Sequence, residues 1–292
     1  MQHEGDFSFT ISFTRGAGNP RRVFDAASAL IDAFQSFDRA VLPSLDAKIE
    51  SHLVLEDVSA GSMRVKLASM LRSIDDDALR SGDWKRIAGD FAVKAKRSAI
   101  EFLEKEDDAP ERLEALKEQI KECAATTDVR HLPDYPPVHE GRLIASLDKI
   151  QKAKAELEIG DSLTIELGKD EYSVDISSTW LPSETLNKTP SEPIEKENVV
   201  EVSLTIRKPD LIKNTMWQFS HGKTTVNAAI KDEEWLRRLH ARDIGIFAGD
   251  ALQCTVRMVY SYDEKGELID TRAEIVKVHG IIAGHVQDDL PL

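Results

Sequence analysis

From Asn19 to Leu42 apolar side chains recur at three- and four-residue steps: Val23, Ala27, Leu30, Phe34, Phe37 and Val41. Phe24 and Ile31 widen the stripe, while Asp25, Asp32 and Arg39 lie off it. Asn19 and Pro20 supply a cap and a first-turn proline, so the segment reads as a helix with one apolar face. Burying that face at ~1.5–3 kcal/mol per large side chain yields on the order of 10 kcal/mol gross, an upper bound before chain entropy is counted. Such a stripe needs a flat apolar partner, and strands flank it on both sides. Phe7, Phe9, Ile11 and Phe13 alternate with Ser8, Thr10 and Ser12, the period of a half-buried strand. Leu53 to Leu67 reads as a hairpin with Leu53, Leu55, Met63, Val65 and Leu67 on its buried face. Arg64 and Lys66 point to water near Glu56, and Val58 to Ser62 form the loop, with Gly61 in the left-handed region. Together these elements predict a βαββ unit with the helix across the apolar face.

Two further helices extend this unit. One starts at Trp84 after Asp83, with Trp84, Ile87, Phe91, Ala95 and Phe102 inward; the next runs from Pro110 to Ala124 on Leu113, Leu116, Ile120 and Cys123. The prolines of His131-Leu-Pro-Asp-Tyr-Pro-Pro137 fix an extended surface connector. A helix from Arg142 to Leu157 follows, stopped by Gly160. From Asp161 the pattern turns to strands: Ser162 to Leu167, Tyr172 to Ile176, Val199 to Ile206, Trp217 to Phe219, Thr225 to Ile230, Ala251 to Tyr262 and Glu267 to His279, with a helix over Glu233 to His240. Pro182 to Asn198 has the composition of a flexible loop. The expected fold class is α+β, in three parts: an N-terminal α+β domain over 1-130, a connector and helix over 131-160, and a mainly antiparallel, small barrel-like β-domain of meander-like order over 161-292.

Across 292 residues, 52 acids against 38 bases leave a net charge of -14, which argues against a protein devoted to neutralising phosphates. The opening Met1-Gln-His-Glu-Gly-Asp6 is unlike a signal peptide and no apolar run approaches a bilayer span, so a cytoplasmic location is expected. Two cysteines, Cys123 and Cys254, make neither a disulfide framework nor a CxxC site.

One set of residues carries a resemblance. Trp217-x-Phe219, Ala228-Ala-Ile-Lys-Asp232-x-x-Trp235-Leu236, Phe247-x-Gly249-Asp250-Ala-Leu252 and Ile275-Val-Lys-Val278 form a run similar to the C-terminal part of uncharacterised bacterial proteins often encoded near phage-defence or mobile-element genes. Gly61-Ser62 before an alternating strand resembles the opening of the same proteins. The resemblance implies a bacterial cytosolic protein, one component of a multi-gene defence system, and no particular reaction.

Candidate chemistry reduces to turns and solvated faces. Gly222-Lys-Thr-Thr225 lacks the upstream glycine of a phosphate loop, with Trp217 in its place, and reads as a β-turn. Gly16-Ala-Gly18 reads as a strand-to-helix turn, and Gly249-Asp250 as the turn that starts a strand. His131, Asp134, His139 and Glu140 are close in sequence but lack a metal-ligand spacing. The acidic runs Asp75 to Asp77, Glu104 to Asp108 and Asp288-Asp289 read as solvated. No catalytic, cofactor or metal residue is therefore assigned. Partner contact is assigned to Trp180, which has no periodic role, and to Trp235, Arg237 and Arg238 around one helix. The expected function is a non-enzymatic interaction or sensor subunit that meets another protein or a second copy of itself. The alternative is a hydrolase or ligand-binding enzyme with a site assembled from distant residues.

Overall fold

The computed structural model describes residues 7–14, 19, 21–46, 49–59, 62–73, 83–130, 134–167, 170–186, 194–211, 216–247 and 249–284. Strand β1 (Phe7–Ser12) lies at the centre of an antiparallel sheet with β2 (Ile49–Ser59), β3 (Met63–Ser73), β4 (Ser162–Leu167) and β5 (Asp170–Val174), in the order β2-β3-β1-β4-β5. Helix α1 (Arg21–Val41) packs with this sheet, and Phe34 meets Phe7 edge to face at 5.2 Å. Asn19 accepts from Arg21 N–H at 3.0 Å, as its capping role requires. Helices α2 (Trp84–Leu103), α3 (Ala109–Thr126) and α4 (Glu140–Ala155) complete the unit, with α4 alongside α1 and α3 alongside α2.

Two expected core residues are outside it. Phe24 is 64% exposed, because the buried face of α1 runs along Val23, Ala26, Ala27, Leu30, Ala33, Phe34 and Phe37. Leu55 is 55% exposed, because β2 is an edge strand and a bulge between Leu55 and Asp57 breaks its alternation. Edge β2 is partly satisfied by a side chain: Gln35 donates to Ser51 C=O at 2.6 Å and accepts from Leu53 N–H at 2.7 Å, the bonds another strand would make there. The expected Gly61 and Gly16-Ala-Gly18 turns and the Asp75 to Asp77 and Asp288-Asp289 runs lie outside the described residues.

The pair β4–β5, expected to open the C-terminal domain at 161, belongs to the N-terminal sheet. Phe9 of β1 faces Ile165 of β4, and Leu163, Ile165 and Leu167 are buried with the N-terminal core. Arg22, at the start of α1, fixes this pairing through Asp161, with Nε and Nη2 each 2.9 Å from a carboxylate oxygen. That hydrogen bond holds the Asp161 carboxyl below its usual range.

The flexible loop expected over 182–198 is ordered at both described ends. Helix α5 (Pro182–Thr185) is a single turn held by Ser183 N–H donating to buried Asp148 at 3.0 Å. Strand β6 (Ile194–Lys208) begins well before Val199, and its backbone pairs along β9 (Ala251–Tyr262) from Ile194 onward.

Strands β6, β7 (Met216–His221), β8 (Thr224–Ile230), β9 and β10 (Leu268–Ile282) form a closed barrel in the order β10-β8-β7-β6-β9. The β8–β10 pairing is parallel, so the chain is a Greek key and not the expected meander. Helix α6 (Glu233–His240) lies between the third and fourth strands of the barrel. Trp217, Phe219, Trp235, Cys254 and Ile275 fill the interior. Asp232 ties α6 to the barrel, accepting from Trp235 N–H at 3.1 Å and Val278 N–H at 3.0 Å. Burial opposes its charge, yet these donors and Lys277 hold the carboxyl below its usual range. Among the described residues no helix is long and apolar enough to cross a membrane.

Asp38 of α1 and Lys96 of α2 form a fully buried ion pair inside the N-terminal core. Ser51 Oγ donates to Asp38 at 3.4 Å, and the Lys96 ammonium sits 4.9 Å from the Phe7 ring centroid. Burial pushes the Asp38 carboxyl up, against the pull of Lys96. Removing one partner leaves an uncompensated buried charge, so Asp38→Asn or Lys96→Met alone is expected to lose about 3–5 kcal/mol in urea unfolding. The double variant Asp38→Leu/Lys96→Met recovers most of that loss; equal losses in the single and double variants would contradict the coupling.

Candidate functional site

From Asp134 onward the connector is buried, not the surface segment its prolines suggest: Asp134, Tyr135, Val138 and His139 are all enclosed. Asp134 accepts from the Tyr260 hydroxyl of β9 and from Asn198 Nδ2 of β6 at 2.7 Å, while Arg130 donates to its carbonyl. Arg130 also lies 3.3 Å from Asp46. Tyr262 donates to Pro137 C=O at 2.8 Å. Burial and the neighbouring Asp134 push both tyrosine hydroxyls up, so they remain donors. The connector is thus a polar joint that docks the barrel against the α+β unit.

His139 closes the joint. Its Nδ1 accepts from Arg142 N–H at 3.2 Å, capping α4, and its ring lies 5.2 Å from that of Tyr262. Its Nε2 is buried without a hydrogen-bond partner. Burial, then Arg142 and Lys196, push its pKa down, against Asp263 and Glu140. Gly266, at φ 72°, approaches so closely that a Cβ there would come within 2.5 Å of His139 Nδ1 and 2.6 Å of Arg142 Cγ. Positive φ and close approach both require glycine at this turn.

Clefts on the described surface include three that differ in charge. Beside the joint, a cleft of about 400 Å³ is lined by Arg39, Ile49, His52, Arg142 and Glu267. Between α1 and α4, one of about 460 Å³ has Asp32 and Glu156 among Arg39, Lys149 and Lys152. On the barrel, one of about 660 Å³ is lined by Arg207, Lys208, Lys223, Gln218, Ser220 and Thr225 with Gly222. The first two carry both signs of charge and suit zwitterionic or mixed surfaces; the third carries only positive charge and suits an anion.

The four residues assigned to partner contact are dispersed. Trp180 packs on the N-terminal core, its ring 5.5 Å from Phe102 and its indole N–H donating to Leu103 C=O at 3.1 Å. Trp235 is buried in the barrel, 6.1 Å from Trp217. Arg237 and Arg238 are exposed on α6. Gly222-Lys223 is the two-residue loop of the β7–β8 hairpin, with Gly222 at φ 56°, as a turn and not a phosphate loop. Asp250 is structural, accepting from Phe247 N–H at 2.7 Å and Gly284 N–H at 3.0 Å. Glu140 pairs with Lys117 at 2.7 Å, and His131 lies outside the described residues. Among the described residues no group of three or more His, Cys, Asp or Glu is placed to hold a metal ion.

Sequence reasoning passed over Lys154, a buried amine on α4 that donates to Gln151 at 2.7 Å and whose pKa burial lowers to about 8. None of the three clefts is lined by it. Burial pushes the Cys254 thiol up to about 12, which leaves it inert as a nucleophile. The adjacent cations Arg207-Lys208, directly after the buried Ile206, were the available signal for the basic cleft.

Tyr260→Phe leaves the buried Asp134 short of a donor and is expected to lose about 1–3 kcal/mol, with faster hydrogen exchange over 134–139. Unchanged exchange there would contradict the joint. His139 has a folded pKa below the ~6.5 of the unfolded chain, so the unfolded state protonates first and stability falls as pH drops from about 6.5 toward the folded value. His139→Asn keeps a cap acceptor and is expected to flatten that fall in thermal unfolding at a series of pH values. No protein-family model, no curated protein and no solved structure matches the chain.

Proposed function

We propose that the chain is a non-enzymatic interaction or sensor subunit of a bacterial multi-component system, acting in the cytoplasm, with anti-phage defence as the setting that its sequence resemblance suggests. The observation that supports this reading is Phe247. It is 77% exposed on the connection between α6 and β9. Its own N–H is pinned to Asp250, and Asp250 is pinned to Gly284 at the end of β10. Gly284 is packed so closely that a Cβ there would meet the Gly249 carbonyl at 2.5 Å. An aromatic ring presented on a tied-down backbone loses little conformational entropy on contact, which is the character of an interface anchor. The same segment belongs to the run of residues that carries the resemblance.

The partner in this reading is another protein subunit or a second copy of the chain. Tagged protein purified from its native host with neighbouring genes intact, then weighed by native mass spectrometry, is expected to carry a stoichiometric partner. Phe247→Ala is expected to weaken capture by at least the roughly tenfold that about 1.4 kcal/mol represents. A lone chain carrying a small molecule overturns the reading and favours the alternative, an enzyme or ligand-binding protein using the cleft of Arg39, His52, Arg142 and Glu267.

A further inference from the structure

We propose that the cleft beside the joint binds a free amino acid with a large apolar side chain, which goes beyond the subunit reading above by giving the sensor a ligand. Four charged side chains line this cleft: Arg39 in the last turn of α1, Glu50 of β2, Arg142 in the first turn of α4 and Glu267 on the turn between β9 and β10. Two guanidiniums against two carboxylates sum to zero. An anion or a cation bound here would therefore face a like charge on one side, whereas a zwitterion matches both. The four charges do not cancel one another in place. Among the described residues the Arg39 and Glu267 side chains make no hydrogen bond or ion pair, and the Arg142 guanidinium reaches only the Gly266 carbonyl, at 3.4 Å. Glu50 lies 3.9 Å from His52 Nε2, which leaves Glu267 as the carboxylate without a neighbour of opposite sign.

Both ends of the cleft are held in place before a ligand arrives. His139 accepts from Arg142 N–H at 3.2 Å, and a Cβ on Gly266 would come within 2.6 Å of Arg142 Cγ, so the arginine stem is packed under the turn. The same turn fixes Glu267. The Asp263 side chain accepts from Glu267 N–H at 2.7 Å, and Asp263 N–H donates to Glu267 C=O at 3.0 Å. Groups anchored in this way lose little freedom on contact. Leu42, Pro43, Ile49 and Leu268 add an apolar wall, and a volume of about 400 Å³ falls in the range of small-molecule sites. The ligand carboxylate lies at Arg39 and Arg142, whose planar forks match it, the ammonium lies at Glu267, and the apolar side chain lies on the wall. Arg39 and Ile49 belong to the α+β unit, while Glu267 and Leu268 belong to the barrel, so the bound amino acid ties the two together across the joint.

The test uses the full chain and L-leucine, read by isothermal titration calorimetry beside three analogues. Leucinamide lacks the carboxylate, N-acetylleucine lacks the ammonium and glycine lacks the side chain. Leucine is expected to bind with a Kd below about 1 mM, and each analogue at least roughly tenfold more weakly. Arg39→Ala and Glu267→Gln are each expected to weaken leucine by a similar factor of about ten. The two variants also separate the two ends. Arg39→Ala narrows the gap between leucine and leucinamide, and Glu267→Gln narrows that between leucine and N-acetylleucine, shifts that a merely structural role would not produce. Lys94→Ala, exposed on α2, is expected to leave binding unchanged, and circular dichroism verifies that each variant folds. No heat with leucine up to about 10 mM, equal binding of the analogues, or binding unaffected by both cleft variants overturns the site. A chain that captures its protein partner but no amino acid overturns this inference alone; one that binds leucine as predicted but captures no partner overturns the subunit reading and leaves the site standing.

Discussion

A carboxylate with no exposed surface must be supplied with hydrogen bonds, and Asp134 draws them from two strands of the barrel. Because an unsatisfied buried charge costs several kcal/mol, the position of Tyr260 and Asn198 relative to the connector is tightly specified. Pro136 and Pro137 restrict the backbone just after Asp134, so the connector gives up little freedom on docking. Tyr262 on Pro137 and His139 under Gly266 repeat the arrangement over the next few residues. The barrel and the α+β unit meet through directional polar contacts, which set their relative orientation more narrowly than apolar contact would.

The same logic recurs inside the N-terminal unit. Asp38 with Lys96, Arg22 with Asp161 and Gln35 on the β2 edge each join segments distant in sequence. None adds much net stability over an apolar pair of equal volume, but each penalises an alternative pairing by leaving a polar group unmatched. Arg22 shows the consequence: it holds the β4–β5 hairpin beside β1, although four α-helices and the β2–β3 hairpin lie between β1 and β4 in the chain.

Charge follows a different distribution from its average. A net charge of -14 is an average over the whole chain, whereas a surface is read by a ligand within a Debye length, not as a sum. The basic cleft arises from one bulge and one hairpin turn, features that place Arg207, Lys208 and Lys223 together without altering composition.

Element types were legible outside the 182–198 segment, where a helical turn and the start of β6 stand in place of the expected loop. Period-two runs such as Phe7 to Phe13 and period-3.6 stripes such as Val23 to Val41 became the strand and helix they predict, and the α+β class with a C-terminal barrel followed from them. The candidate site was much less legible: of the residues assigned to partner contact, Trp180 and Trp235 are engaged in the two cores, while Phe247 and the paired cations carried no periodic signal. Local periodicity depends on a residue and its near neighbours, so the amino-acid sequence alone determined which segments are helix and which are strand. Only the tertiary structure decided that β4 pairs with β1, that β8 runs parallel to β10, that Phe24 faces water and that Asp134 and Lys154 do not. Those outcomes turn on the matching of hydrogen bonds and volume between segments far apart along the chain, which no local pattern encodes.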